Sequence, residues 1–274
     1  MKRLLWRDAT LTFAALLVAA HVLAAIAAPL IAPHDPLAQN IIARLKGPSA
    51  DNWLGADQLG RDVFSRILYG YRTSLAVSLG AVFASLLAGG ALGLLAAFYK
   101  GWFERIVMRC MDALFAFPVL LLAIGVVAML GPQASSAAIA IAIVYTPIFA
   151  RLMRAAALVV IESEFVVAAK TIGCSDARLL VRHVLPNLAS VMIAQTALML
   201  SAAILVEASL SFLGLGAQPP SPSLGLMLAE GRNFLMLSPW SAIFAGLAIL
   251  ILSFGFNLLG DALRDRLDPR LRGG

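Results

Sequence analysis

The chain has few charged residues and very few of the residues that build catalytic or metal sites. Only 13% of its 274 residues are charged, and two cysteines, Cys110 and Cys174, allow neither a disulfide framework nor a cysteine metal cluster. The three histidines, His21, His34 and His183, are too scattered to predict a metal site. The dipeptide Gly-Lys of the phosphate-binding loop never occurs, nor do H-E-x-x-H, G-x-S-x-G or C-x-x-C. The sequence therefore argues against an enzyme, a bound cofactor and an ATP site of its own.

What the chain has in excess is apolar residues, in long uncharged runs. The hydrophobic fraction is 61%, against roughly 45–50% in soluble domains, so lipid must solvate part of the surface. A membrane-spanning helix needs about 20 apolar residues, and irregular backbone facing lipid would leave amides unpaired. We therefore predict an all-α polytopic membrane protein with about six spans. They are Ala9–Pro33, Thr73–Tyr99, residues 113–130 and 134–152 on either side of Gly131-Pro132, Val184–Val206, and Trp240–Leu259.

The first run has two interpretations. Met1-Lys2-Arg3 before an apolar stretch, with small residues at Ala24–Ala28, is also typical of a secretory signal peptide. The stretch Leu11–Ala28 exceeds the usual 7–15 residues of a signal-peptide core, which favours a retained anchor.

Lysine and arginine predict the orientation, because cytoplasmic loops are enriched in them. With the N-terminus inside, the inner segments hold fifteen of these residues and the outer segments hold six. Both termini are therefore predicted to be cytoplasmic. The inner set includes Lys2, Arg3, Arg7, Lys100, Arg105, Arg109, Arg151, Arg154, Lys170, Arg178, Arg182, Arg264, Arg266, Arg270 and Arg272.

A few residues inside the predicted spans stand out. Gly89 and Gly93 have the spacing that lets two helices approach closely. Pro118 and Pro147 each remove a backbone donor and predict a kink. Glu207, near the outer end of the fifth span, is either a pathway group or a solvated or hydrogen-bonded end residue.

The inner loop between spans four and five, residues 153–186, predicts two short helices joined by a glycine turn. Phe165, Ala168, Ala169 and Ile172 are predicted to share one face of the first helix, which Gly173 ends. Residues 176–186 continue helically into span five. These helices form either an apolar knob for a partner protein or an amphipathic helix on the lipid surface.

The same loop resembles the "EAA" loop of ABC importer permeases. The matching residues are Glu164, Ala168, Ala169, Gly173, Leu185 and Pro186, whereas Val167 replaces the glutamate that usually precedes the two alanines. Residues 53–66, with Gly55, Asp57, Gly60, Arg61 and Asp62, look like the outer segment of dipeptide, oligopeptide and nickel permeases of the "C" type. Residues 207–216 and 260–269 resemble the same group.

The resemblance implies a type I ABC importer permease fold in a bacterial inner membrane. Residues 1–33 would be the anchor, 34–72 a periplasmic segment, 73–260 the core and 261–274 a cytoplasmic tail. Residues Glu164–Gly173 would form a coupling helix seated on a partner ATPase. ATP and Mg²⁺ would be bound by that partner and not by this chain. The implied partners are a homologous second permease, two cytoplasmic ATPases, and a periplasmic or lipid-anchored binding protein that docks near 34–72 and 213–238. No nucleic acid is expected.

The resemblance leaves the cargo open between peptides, nickel and another small solute. The scarcity of histidine favours peptides. From the residues alone, an ATP-independent carrier or channel and a membrane scaffold without a substrate also remain possible.

Overall fold

The computed structural model describes residues 2–267, and it describes the side chains of residues 9–267. This part of the chain is built from helices and connecting loops. The helices are α1 (Lys2–Ile26), α2 (Ala28–Ile31), a 3₁₀ turn (Ile41–Ala43), α3 (Val63–Tyr99), α4 (Gly101–Phe115), α5 (Val119–Leu130), α6 (Ala134–Ile161), α7 (Glu164–Thr171), α8 (Asp176–Arg178), a π-helical turn (Leu179–Val184), α9 (Leu185–Phe212), α10 (Leu224–Arg232) and α11 (Trp240–Leu267).

Five helical segments are long and apolar enough to cross a membrane, and a bent helix pair supplies a sixth candidate span. The five contain α1, α3, α6, α9 and α11, which agrees with predicted spans one, two, four, five and six. The ends differ because several helices continue beyond the uncharged runs. Helix α6, for example, runs nine residues past the predicted end at residue 152, to Ile161.

The predicted third span, residues 113–130, is not one continuous helix, although the bent pair of α4 and α5 is still a candidate span. Helices α4 and α5 meet at an angle of 94° around Ala116–Pro118. Pro118 restricts the residue before it to extended backbone and cannot donate a hydrogen bond, so the helix ends and restarts there. The 12 residues of α5 extend only about 18 Å, against a hydrocarbon core of about 30 Å. Pro147, by contrast, lies inside the continuous helix α6.

Helix α3 begins ten residues before the predicted start at Thr73, so the end of the predicted outer segment 34–72 is helical. The Asp62 carboxylate caps the helix by accepting a hydrogen bond from the Ser65 amide at 2.8 Å. The predicted start at Thr73 followed from Arg72, which ends the uncharged run. The helix nevertheless continues through Arg72, which is exposed, and through Arg66, which is buried.

The centre of the fold is the pairing of α3 with α6. Gly89 and Gly93 have no side chain, so the two backbones can touch at these positions. A Cβ at Gly89 would lie 2.3 Å from the Thr146 carbonyl oxygen, and a Cβ at Gly93 would lie 2.2 Å from the Ala150 carbonyl oxygen. The packing role predicted for the two glycines is confirmed.

Helices α9, α11 and α1 complete the bundle around this pair. The Ser201 hydroxyl of α9 donates to the Ser253 carbonyl of α11 at 2.8 Å. Helix α1 packs on α11, where Leu17 and Val18 lie next to Gly255. His21 stacks edge-on against Tyr71 of α3, with ring centroids 5.1 Å apart, and serves as a packed polar residue. Whether α1 is retained as an anchor stays a prediction.

Two predicted features lie at the edges of the described region. Helix α11 carries residues 261–267 of the predicted cytoplasmic tail. The rest of the tail, with Asp268, Pro269, Arg270 and Arg272, lies outside the described residues, as do the side chains of Lys2, Arg3 and Arg7.

The α3–α6 contact predicts different effects for two glycines of one helix. We expect Gly93→Ala to lower the free energy of unfolding by about 1–3 kcal/mol, because the added methyl group forces two backbones apart. Gly80→Ala is the matched control, since a Cβ at Gly80 meets nothing within 4 Å. Thermal unfolding of the detergent-purified protein measures both; equal midpoints for the two variants would contradict the packing account.

Candidate functional site: the inner knob and the outer charge cluster

The loop between α6 and α9 folds as a small helical knob, residues 162–178. Its first helix, α7, turns Val166 and Ala169 inward, where they are 1% and 9% exposed. Phe165 and Ile172 remain 49% and 86% exposed, and Ala168 is exposed beside them. The predicted common face of Phe165, Ala168, Ala169 and Ile172 is therefore wrong in one member. Ala169 belongs to the inner face, because it and Val166 are three positions apart.

Gly173 ends the first helix of the knob, as predicted. Its φ of +87° lies in the left-handed region, which costs glycine little and other residues more. The Cys174 amide then reaches back to the Ala169 carbonyl at 3.1 Å, which closes the C-terminal turn. A Cβ at Gly173 would meet nothing within 4 Å. The requirement for glycine is therefore one of backbone conformation and not of space.

The second half of the knob joins span five without a break. Residues from Asp176 to Phe212 form one helical rod of 37 residues, with a π-helical turn at Leu179–Val184. Leu179 and Val184 are buried beneath the knob. Pro186 is the second residue of α9 and follows the π-helical turn directly, where the α-helical hydrogen-bond pattern is already interrupted. A displacement of the knob would therefore be transmitted directly to the inner end of α9.

Ion pairs surround the base of the knob. Lys100, at the inner end of α3, pairs with Glu162 at 3.2 Å. Arg151 of α6 pairs with Asp112 of α4 at 2.6 Å, and the Nε of Arg154 donates to Glu104 at 2.6 Å. The first two pairs are exposed and stabilise little, whereas Arg154 and Glu104 are partly buried. The three pairs connect α4 and the end of α3 to the half of α6 that lies next to the knob.

At the opposite end of the bundle, which the sequence predicts to face outward, lies the outer charge cluster, defined as Asp57, Arg61, Arg66 and Glu230. Arg61 pairs with Asp57 at 2.6 Å and with Glu230 at 3.0 Å. Arg66 pairs with the same two carboxylates at 3.0 and 3.1 Å. Asp57, Arg61 and Arg66 are at most 4% exposed, and Glu230 is 19% exposed. The cluster holds two charges of each sign and ties the outer segment to α3 and α10.

The five residues predicted for the outer segment lie together around this cluster. The Asp57 carboxylate also accepts the amides of Leu59 and Arg61. Asp62 caps α3 and accepts the Asn52 side-chain amide at 3.0 Å.

The two predicted glycines shape the backbone of the segment. Gly60 has a φ of +73°, and a Cβ there would lie 1.8 Å from the Asn40 carbonyl oxygen. Gly55 accepts the Val63 amide at 3.0 Å, next to the start of α3. Gly60 therefore allows close contact with Asn40 of the same segment, and Gly55 connects the segment to the start of α3.

Sequence reasoning missed Arg66 and Glu230. The sequence gives no signal for Arg66, because Asp57 and Asp62 already balance the charges of Arg61 and Arg66 within residues 57–66. Nothing in the sequence indicates that Glu230, more than 160 residues away, supplies that carboxylate.

Glu207 is buried, and it is not a solvated end residue. It is 1% exposed, and the Ser211 hydroxyl one turn later donates to its carboxylate at 2.7 Å. The hydrogen-bonded alternative is therefore the one the structure supports. Its role as a pathway residue stays a prediction. No group of three or more His, Cys, Asp or Glu side chains in the described residues is placed to hold a metal ion.

Comparisons with known proteins agree with the resemblance seen in the sequence. Residues 89–273 match the family described as "Binding-protein-dependent transport system inner membrane component". The chain is 45% identical to the dipeptide transport system permease protein DppC of Alkalihalophilus pseudofirmus, over 94% of this chain and 84% of the relative. It is 47% identical to the glutathione transport system permease protein GsiD of Escherichia coli O157:H7, over 95% of this chain and 86% of the relative.

A solved structure shares the fold. The structure of the MetNI methionine ABC transporter in inward-facing conformations superposes with a TM-score of 0.62 at 15% identity. The match covers 75% of this chain and 97% of that chain. The type I ABC importer permease fold predicted from sequence is therefore confirmed.

The outer charge cluster predicts a sharp difference between two glutamates. We expect Glu230→Gln to lower the free energy of unfolding by about 3 kcal/mol, because it leaves two buried guanidinium groups sharing one carboxylate. Glu162→Gln is the control, since its pair with Lys100 is exposed and should contribute only about 0–1 kcal/mol. Denaturation in detergent at low and high salt measures both. Equal losses for the two variants would show that the cluster is not a buried network.

Proposed function

The chain belongs to the family of binding-protein-dependent transport system inner membrane components, and on this premise we propose that it forms half of the translocation pathway of an ATP-driven importer of di- and oligopeptides. It is the permease subunit of an ABC importer, a multi-pass inner-membrane protein and not an enzyme. Membership of this family decides against the carrier and scaffold alternatives. The peptide cargo is supported by the names of the relatives, one of a dipeptide permease and one of a permease for the peptide glutathione.

The knob carries the proposed coupling to an ATPase. A docking helix needs an exposed apolar face on a rigid base, and α7 has both. Phe165 and Ile172 project outward while Val166 and Ala169 fix the helix from below. Because the rod from Asp176 to Phe212 begins in the knob, movement of a bound ATPase would tilt α9 and change the opening of the bundle. The ATPases, which would bind ATP and Mg²⁺, and the homologous second permease are part of the same proposal.

The outer face is proposed to receive the substrate-binding protein. The outer charge cluster holds the segment 34–62 and α10 in a fixed arrangement. Beyond α10, the loop before α11 exposes apolar side chains, with Met236 100% and Leu237 75% exposed. A rigid outer surface with an apolar tip is suited to contact with another protein.

The coupling role predicts that a charge on the exposed face of α7 weakens binding of the ATPase and leaves folding of the permease intact. We expect Ala168→Glu to weaken binding of the ATPase about tenfold or more, because a carboxylate would be desolvated in the interface. Membrane insertion and expression should remain normal. Ala155→Glu, at an exposed alanine of α6 outside the knob, is the matched control.

Co-purification of the ATPase and peptide uptake by proteoliposomes measure the effect of both variants. Wild-type ATPase binding and uptake in Ala168→Glu would refute the coupling role of α7.

The proposed orientation, with both termini cytoplasmic, predicts the accessibility of two exposed positions. In a background without Cys110 and Cys174, a membrane-impermeant maleimide should label Met236→Cys in intact spheroplasts. It should label Ile172→Cys only after the membrane is opened, because α7 lies on the cytoplasmic side. Labelling of Ile172→Cys in intact spheroplasts would reverse the orientation.

A further inference from the structure

A small amphipathic pocket lies between α6, α9 and α11, in the inner half of the bundle. Its volume is about 320 Å³, at the lower end of the range for small-molecule sites. Leu152, Val191 and Leu198 contribute to its apolar walls, and its polar groups are Ser190, Gln195 and Arg264. Leu152 follows Arg151, which pairs with Asp112 of α4, so the pocket lies close to the predicted cytoplasmic surface.

The polar groups of this pocket are complementary to a small solute with an amide and an oxyanion. The Gln195 side chain offers both a donor and an acceptor, as a peptide bond does, and the Ser190 hydroxyl can do the same. The Arg264 guanidinium is a planar fork that matches a carboxylate. Among residues 9–267, whose side chains the structure describes, Arg264 takes part in none of the ion pairs. Its side chain is exposed, so a ligand can reach the guanidinium.

We propose that this pocket binds the backbone of a peptide on its way to the cytoplasm, with the C-terminal carboxylate on Arg264 and a peptide amide on Gln195. The inference rests on the proposed function, because it assumes that the cargo is a peptide. The walls of the pocket are apolar, so they would contact the side chains of different peptides without selecting one sequence. Recognition through the backbone would let one permease pass many sequences.

A phospholipid is the other ligand with an oxyanion and apolar parts, and the structure offers it a better place. On another side of α9 lies an apolar groove of about 690 Å³, lined by residues such as Phe83, Leu94 and Phe256. The polar side chain in its lining is that of Thr196. Acyl chains fit that groove, whereas the smaller pocket has three polar groups and limited apolar wall.

The test uses the complete transporter, reconstituted in proteoliposomes with its second permease, ATPases and binding protein. We expect Arg264→Gln and Gln195→Leu each to lower uptake of a radiolabelled dipeptide about tenfold, the effect of losing one hydrogen bond to the peptide. ATP hydrolysis stimulated by the loaded binding protein should stay within about twofold of wild type, because the knob is untouched. Arg109→Gln, at an exposed arginine of α4, should leave both rates unchanged.

A direct readout accompanies the rates. A dipeptide with a photoreactive side chain should form adducts with α9 between residues 190 and 198. Excess free dipeptide should compete for these adducts, whereas its C-terminal amide should compete poorly because it lacks the carboxylate.

Three results would overturn the pocket assignment. Unchanged uptake in both variants would exclude the site. Equal loss of stimulated ATP hydrolysis would show that the residues support structure or coupling. An effect of Arg264→Gln confined to vesicles with anionic lipid would assign the pocket to a lipid headgroup. Wild-type proteoliposomes that accumulate no peptide would instead refute the proposed cargo, before any variant is compared.

Discussion

The backbone contact between α3 and α6 is the constraint on which the rest of the structure depends. At Gly89 and Gly93 the two helices touch without intervening side chains, and association in lipid relies on such close packing because the hydrophobic effect no longer drives it. Helix α3 carries Arg66 of the outer charge cluster at one end and Lys100, which pairs beside the knob, at the other. One rigid pair of helices therefore connects the two surfaces that we propose for partner proteins.

The two ends of this pair differ in their physical character. The outer end is closed by buried charges that balance one another, and separating them would leave a guanidinium without its carboxylate, which is costly. The inner end exposes apolar side chains on α7, held from below by Val166 and Ala169. A fixed outer surface and an exposed inner helix fit a subunit that receives cargo on one side and is moved from the other. The long rod through α9 connects that inner helix to the interior of the bundle.

The sequence predicted those features that depend on local composition. Uncharged runs indicated the long helices, the spacing of Gly89 and Gly93 indicated close packing, and Gly173 indicated the end of α7. The sharp bend at Pro118 was underestimated, because a proline that kinks a helix and one that ends it look alike in sequence. The predicted start of α3 at Thr73 is too late, because Arg72 ends the uncharged run and the sequence does not show that the helix extends back past the buried Arg66. Only tertiary structure supplies Glu230 as its partner and shows that Ser211 bonds the buried Glu207.

The central claim, that α7 seats on a partner ATPase, is tested most directly by site-specific photocrosslinking in the complete transporter. A photoreactive amino acid placed at Ile172, which is 86% exposed, should form an adduct with the ATPase subunit. The same amino acid at Met236, on the proposed outer face, should form none with the ATPase. An adduct from Ile172 alone is the predicted result. Absence of an ATPase adduct from Ile172, in a complex that still hydrolyses ATP and imports cargo, would contradict the account.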